Sequence, residues 1–262
     1  MRFLNPAFLA TLLLMSSAAL ADSEKTTATT SDGRTVQVQI NQPDSLFRHG
    51  PTVVLAPGAG YHMDLPLLKE LAESLAQQGY IVFRFNWNYF TSEPQGEPSR
   101  DGEKEVLDMQ AVLALARQDL RVDDARILVA GKSLGSRISY LVYQRAPALK
   151  ALALLTPVCT SMYDDNDNLR PVPLPSGEVN YPGLATLGRP VLFATSDSDP
   201  NCQLTMLIDF LKPFEGRYPM TIVGGNHSWD VVKGVDDATN ARNQANRAVG
   251  IGFVTRWLGM FL

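Results

Sequence analysis

The sequence predicts an α/β fold: a mostly parallel, doubly wound sheet of about seven to eight strands with helices on both faces. Short, continuous apolar runs recur at residues 52–56, 80–85, 126–130, 151–155, 191–194 and 220–223. Most of the stretches between them repeat their apolar residues at helical spacing. A strand buried on both faces needs no polar alternation, so such runs divided by helices indicate a parallel sheet covered on both sides. The third observation is a Gly-x-Ser-x-Gly pattern, Gly131-Lys132-Ser133-Leu134-Gly135, between the run 126–130 and an amphipathic stretch. That order reads strand, tight turn, helix.

The chain opens with a positive residue, Arg2, an apolar run over residues 7–15 and a small-x-small triplet, Ala19-Leu20-Ala21. This is the pattern of a secretory signal peptide over residues 1–21, cleaved near Ala21, and it implies export to a periplasmic or secreted location. Its apolar core is too short to cross a bilayer, and no later segment reaches spanning length. Residues 22–262 fit one domain. The 262-residue chain carries a net charge of −4 and no cluster of Lys or Arg, which argues against a nucleic-acid partner. Its two cysteines, Cys159 and Cys202, fall just beyond the ends of successive predicted strands. After export they can join as a disulfide between neighbouring loops, the alternative being two unrelated buried thiols.

Along the chain, residues 35–40 alternate polar and apolar, as a half-buried strand does. The first predicted helix has Asp64 as its N-cap, Pro66 in the first turn and Leu67, Leu71 and Leu75 on one face, and it stops at Gly79. A second carries Val106, Met109, Leu113 and Ala116. A third follows the serine with Leu134, Ile138 and Val142, and a last one has Ala245, Val249, Phe253 and Trp257 as its apolar stripe. Two stretches break the alternation: residues 87–100, rich in aromatics and proline, and a Pro-rich excursion at about 157–189 with the run Asp164-Asp165-Asn166-Asp167. Both follow predicted strands, on the sheet edge where α/β proteins bind ligands, and are the expected source of substrate selectivity.

A hydroxyl is a poor nucleophile unless a base takes its proton, and the base needs a group that fixes its tautomer. Ser133 is the candidate nucleophile, its flanking glycines removing Cβ atoms where strand and helix backbones pass close. Gly and Ser each near 7% of residues make one accidental match in such a chain a roughly one-in-ten event. The surrounding residues add weight. Of three histidines, His49 precedes a strand and His62 lies in the loop after the run 52–56, whereas His227 follows the run 220–223 through Gly224-Gly225-Asn226. His227 therefore shares the carboxyl edge with Ser133 and is the candidate base. The acid comes from the loop after the run 191–194, as Asp197 or Asp199; Asp199, just before Pro200, is the choice, and Asp164 and Asp165 are weaker sources. Backbone amides of Ala59, in Gly58-Ala59-Gly60, and of Leu134 are placed to receive an oxyanion.

The order Ser133, Asp199, His227, the elbow and the Pro57-Gly58-Ala59-Gly60 loop resemble an α/β-hydrolase over most of residues 22–262. Met63-Asp64-x-Pro66, Gly131 to Arg137 and Gly225-Asn226-His227-Ser228 are most similar to a compact dienelactone-hydrolase-like group. The resemblance implies a serine esterase acting on carboxylester or thioester bonds of a small acyl substrate through a catalytic triad. The excursion after Leu155 departs from that group. No cofactor or metal is expected. A phosphate-binding loop would need a glycine where Arg126 stands, Met63 replaces the third glycine of a dinucleotide fingerprint, and no metal-ligand spacing involves the histidines or cysteines. Beside the nucleophile, Lys132 is expected under the elbow and Arg137 in an ion pair with Asp108 or Glu105. The competing readings are a scaffolding protein on the same fold, and an acyltransferase using the same residues.

Overall fold

The apolar runs pair into one eight-stranded sheet in the computed structural model, which describes residues 23–43, 49–164, 166, 168–173, 177–230 and 233–261. The leader expected at residues 1–21 lies outside the described residues, as do Asp165 and Asp167. The chain runs through β1 (Ser23–Thr29), β2 (Thr35–Asn41), β3 (Gly50–Ala56), α1 (Pro66–Gln77), β4 (Ile81–Phe85), α2 (Asn88–Thr91) and α3 (Glu103–Gln118). Then come β5 (Val122–Lys132), α4 (Leu134–Arg145), β6 (Leu152–Leu155), β7 (Thr160–Tyr163), β8 (Leu169–Pro173) and α5 (Leu184–Leu187). Last are β9 (Val191–Ser196), α6 (Leu204–Leu211), β10 (Met220–Val223) and α7 (Asp237–Leu258).

The sheet order is β1-β2-β4-β3-β5-β6-β9-β10. β1 and β2 join antiparallel, and every pairing from β4 onward is parallel. The central strands send alternate side chains to opposite cores, which is why their sequences are apolar throughout. Val54, Ile127, Val129, Leu152, Leu154 and Phe193 pack on one face with Val106 and Met109 of α3 and Ile138 of α4. Val53, Leu55, Leu128, Ala153, Leu192 and Ala194 pack on the other with Leu67, Leu71 and Leu75 of α1 and Val254 and Leu258 of α7.

One strand is unanticipated and three expectations need correction. β1 carries the sequence SEKTTAT, mostly exposed; the backbone ladder to β2 makes it a strand, and such pairing leaves no hydrophobic signature. Asp64 does not cap α1: Leu65 holds that position without a side-chain bond, and the Asp64 carboxylate pairs instead with buried Arg84. In α7 the stripe at spacing four fails, because Val249 and Phe253 are exposed. Four residues advance a helix by about 400°, so residues counted in fours do not keep one face: Ala245, Val249 and Phe253 are exposed and only Trp257 reaches the core, where Arg247, Gly250, Ile251, Val254, Trp257 and Leu258 form the buried face. Arg137 pairs with neither carboxylate named for it. Arg34 takes Asp108 at 2.7 Å and Ser99 takes Glu105, leaving the Arg137 Nη2 to donate to the Asp101 backbone oxygen at 2.9 Å.

Candidate active site

β5 ends at Lys132 and α4 begins at Leu134, so a single residue turns the chain. Ser133 makes that turn at φ 54° and ψ −117°, a conformation that costs an L-residue about 1–3 kcal/mol and persists only where the surroundings enforce it. The glycines supply the enforcement. A Cβ on Gly131 would stand 2.0 Å from the Gly135 carbonyl oxygen, and one on Gly135 would stand 2.5 Å from the carbonyl oxygens of Ala56 and Pro57. These neighbours are backbone and cannot swing aside. The Ser133 amide donates to Leu155 O at 3.0 Å, tying the elbow to β6. Because the strand ladder to β3 and β6 runs through Gly131 and Lys132, the amides a phosphate loop would need are in the sheet.

The loops after β9 and β10 bring the other two residues to Ser133. His227 Nε2 lies 2.8 Å from Ser133 Oγ, and Nδ1 lies 2.8 and 2.9 Å from the two Asp199 carboxylate oxygens. A carboxylate only accepts, so Nδ1 carries the proton and Nε2 offers its lone pair to the serine hydroxyl. Burial pushes the His227 pKa below the ordinary imidazole value, Asp199 opposes the shift and the charge on Lys132 adds to it. The lowered pKa leaves Nε2 free to accept a proton further into acid than an ordinary imidazole.

The two aspartates open to the sequence have separate tasks. Asp199 Oδ1 also accepts from Asn201 N at 2.8 Å, whereas Asp197 Oδ1 accepts from Gly225 N at 2.9 Å and so fixes the turn that presents His227. Ser196 continues that bracing, donating to Asn226 O at 2.7 Å and accepting from Trp229 Nε1 at 2.6 Å. Asp164 is occupied within its own turn, accepting from the amides of Asn166 and Asn168. His62 packs beside Phe90 and lies 3.0 Å from Asn86, on the side of α2.

Ala59, Ser133, Leu134 and His227 line one cavity of about 500 Å³ together with Arg100, Lys132 and Arg137. Leu134 opens α4, so its amide belongs to a first turn without intrahelical acceptors. Val158, Thr160, Asn180 and Asn201 form the opposite wall. The disulfide Cys159–Cys202 fastens that wall to the Asp199 loop, reinforced by Cys159 N donating to Asn201 O at 2.9 Å. Sequence reasoning did not find a further fastener of the wall, Tyr181. Its hydroxyl accepts from Val158 N at 2.9 Å and meets Ser136 Oγ at 3.1 Å, and one tyrosine in a Pro-rich stretch gave no signal of this. Lys132 is buried, its ammonium 4.7 Å from the centre of the Tyr61 ring, and burial pushes its pKa down to about 8. Among the described residues, no group of three His, Cys, Asp or Glu could hold a metal ion, and no helix is long and apolar enough to cross a membrane.

A family model described as an alpha/beta hydrolase domain matches residues 49–253, and the chain belongs to this family. Among solved structures it is similar to an alpha-beta serine hydrolase homologue from Coxiella burnetii, with a TM-score of 0.63 and 20% identity over 88% of this chain and 96% of that one. A serine hydrolase without lid from Xanthomonas campestris matches at a TM-score of 0.61 and 18% identity, over 97% and 98% of the two chains. An acylaminoacyl peptidase from Pyrococcus horikoshii matches at 0.69 and 16%, over 95% of this chain and 43% of that one. Likeness at these identities establishes the fold alone. No curated protein matches the chain.

Proposed function

We propose that the protein is an exported serine hydrolase that cleaves carboxylester or thioester bonds through an acyl-enzyme. The observation that carries this reading is the unbroken chain from Asp199 through His227 to Ser133, with contacts of 2.8 Å at each end of the imidazole and a strained nucleophile at its tip. Ser133 Oγ attacks the carbonyl carbon while its proton passes to His227 Nε2. The oxyanion is received by the amides of Ala59 and Leu134. His227 then protonates the departing alcohol or thiol, Asp199 holding the ring, and water repeats the sequence to release the acid. The leader pattern at residues 1–21 and the Cys159–Cys202 disulfide both favour an oxidising, exported setting.

Lys132 and Arg137 line the cavity and, among the described residues, no carboxylate does, which favours esters bearing an acidic group over purely apolar ones. The test is labelling by a fluorophosphonate together with hydrolysis of a panel of short esters, neutral and acid-bearing. The native chain is expected to label and to hydrolyse, and Ser133→Ala to lose both, with turnover falling on the order of 10⁶-fold. If the native protein neither labels nor cleaves any ester, the scaffolding reading replaces this one. Product shifting to an added alcohol in preference to water points to acyl transfer.

A further inference from the structure

The buried ammonium of Lys132 is the group the proposed mechanism leaves unused. Lys132 is only 4% exposed. Its Nζ rests over the Tyr61 ring, 4.7 Å from the centroid, an arrangement in which the electron-rich face of the ring partly replaces water around a cation. The carboxylates that could neutralise it are engaged elsewhere, Asp199 on His227 and Asp230 on Arg247, each at 2.8 Å. On its remaining side lies the oxyanion loop. A Cβ on Gly58 would stand 3.1 Å from Lys132 Cδ, 3.4 Å from Nζ and 3.2 Å from Ser133 Cβ, so nucleophile and ammonium flank the same glycine. A methionine would fill this space without burying a charge. The charge therefore calls for a use.

Building on the hydrolytic reading of Ser133, we propose that Lys132 is a positioning residue. Its ammonium, held between the Tyr61 ring and the Gly58 backbone, fixes the oxyanion loop and supplies positive charge where the transition state turns negative. The same charge adds to burial in keeping His227 unprotonated at rest. The groups facing it are Tyr61 from the loop after β3, Asp199 from the loop after β9, and His227 and Asp230 from the loop after β10. Arg137 of α4 lines the same cavity, and Arg247 of α7 and Glu70 of α1 stand behind as an ion pair at 2.8 Å that also binds Asp230. Lys132 is half deprotonated near pH 8, so its contribution is present below that pH and lost above it.

The test is the rate of fluorophosphonate labelling as a function of pH, in which Ser133 Oγ bonds to phosphorus, fluoride leaves and the serine proton passes to His227. The native protein should show an alkaline fall centred near pH 8. Lys132→Met should label about tenfold to a hundredfold more slowly at neutral pH. It should show no alkaline fall, meet the native curve in alkali, and have an acid limb raised by about one pH unit. Lys132→Arg, which keeps the charge but does not titrate in this range, should recover part of the rate and also lack the fall. A purely structural lysine would shift the acid limb through its charge alone, but would leave the neutral-pH rate unchanged and give no alkaline fall. A native rate and profile in Lys132→Met overturns the proposal; should that variant not fold, a native profile with no alkaline fall does the same. Failure of the native protein to label at all overturns the hydrolytic reading and this inference with it.

Discussion

Gly131 and Gly135 sit in the elbow with carbonyl oxygens where their Cβ atoms would be, whereas the cavity wall opposite is fastened by side chains. That wall, from Val158 onward, hangs on the Cys159–Cys202 disulfide, the Tyr181 hydroxyl and Asn180 donating to Val158 O and Thr160 O. Backbone against backbone leaves no rotamer to relieve a clash, so the Ser133 backbone has one position. Side-chain fasteners act one at a time, and each can be exchanged without undoing the rest. The difference separates two demands on a hydrolytic site. The attacking atom must be held to fractions of an ångström, while the wall that meets the substrate can vary.

The severest test of this contrast is Gly131→Ala. A methyl 2.0 Å from a carbonyl oxygen cannot be accommodated, and the expected outcome is loss of folded protein, read by circular dichroism and melting. A stable, active variant would remove the steric account of the elbow. Next in size is the pair of aspartates. Asp199→Asn should slow ester turnover on the order of 10⁴-fold, since an amide can hold the imidazole in the wrong tautomer. Asp197→Asn, whose side chain accepts from the Gly225 amide and the neighbouring Ser198 hydroxyl, should cost less than about tenfold, and comparable losses in the two would mean that both act on the base. Smallest is the wall. Replacing Cys159 and Cys202 together by serine opens a loop of 43 residues and should lower stability by about 2–4 kcal/mol, measured by denaturant unfolding. Its kinetic effect should fall on KM more than on kcat; an equally large fall in kcat would show that the wall also holds Asp199.

Where an element's sequence answered to its immediate surroundings, it was legible. β3, β5, β6 and β9 are buried on both faces and read as unbroken apolar runs, and α1, α3 and α4 kept their predicted stripes. β1 was invisible because backbone pairing requires no particular side chain. The face of α7 was misjudged because three turns of drift pass unnoticed when residues are counted in fours. Asp64 and Arg137 carried sound local arguments, a cap and an ion pair, but Arg84 took the first and Arg34 removed a partner from the second. Competition among charged groups distant in sequence cannot be read from spacing.

The sequence alone determined the strand-turn-helix at Ser133, because two glycines around one serine leave the backbone few other paths. It also determined the order of Ser133, Asp199 and His227 along the chain. Tertiary structure alone decided which aspartate reaches His227, since Asp197 and Asp199 are two residues apart and only the turn of the loop after β9 separates their directions. It alone joined Cys159 to Cys202 and laid the Lys132 ammonium between Tyr61 and Gly58. Steric exclusion acts between neighbours in the chain, and charge and sulfur find their partners only once the chain is folded.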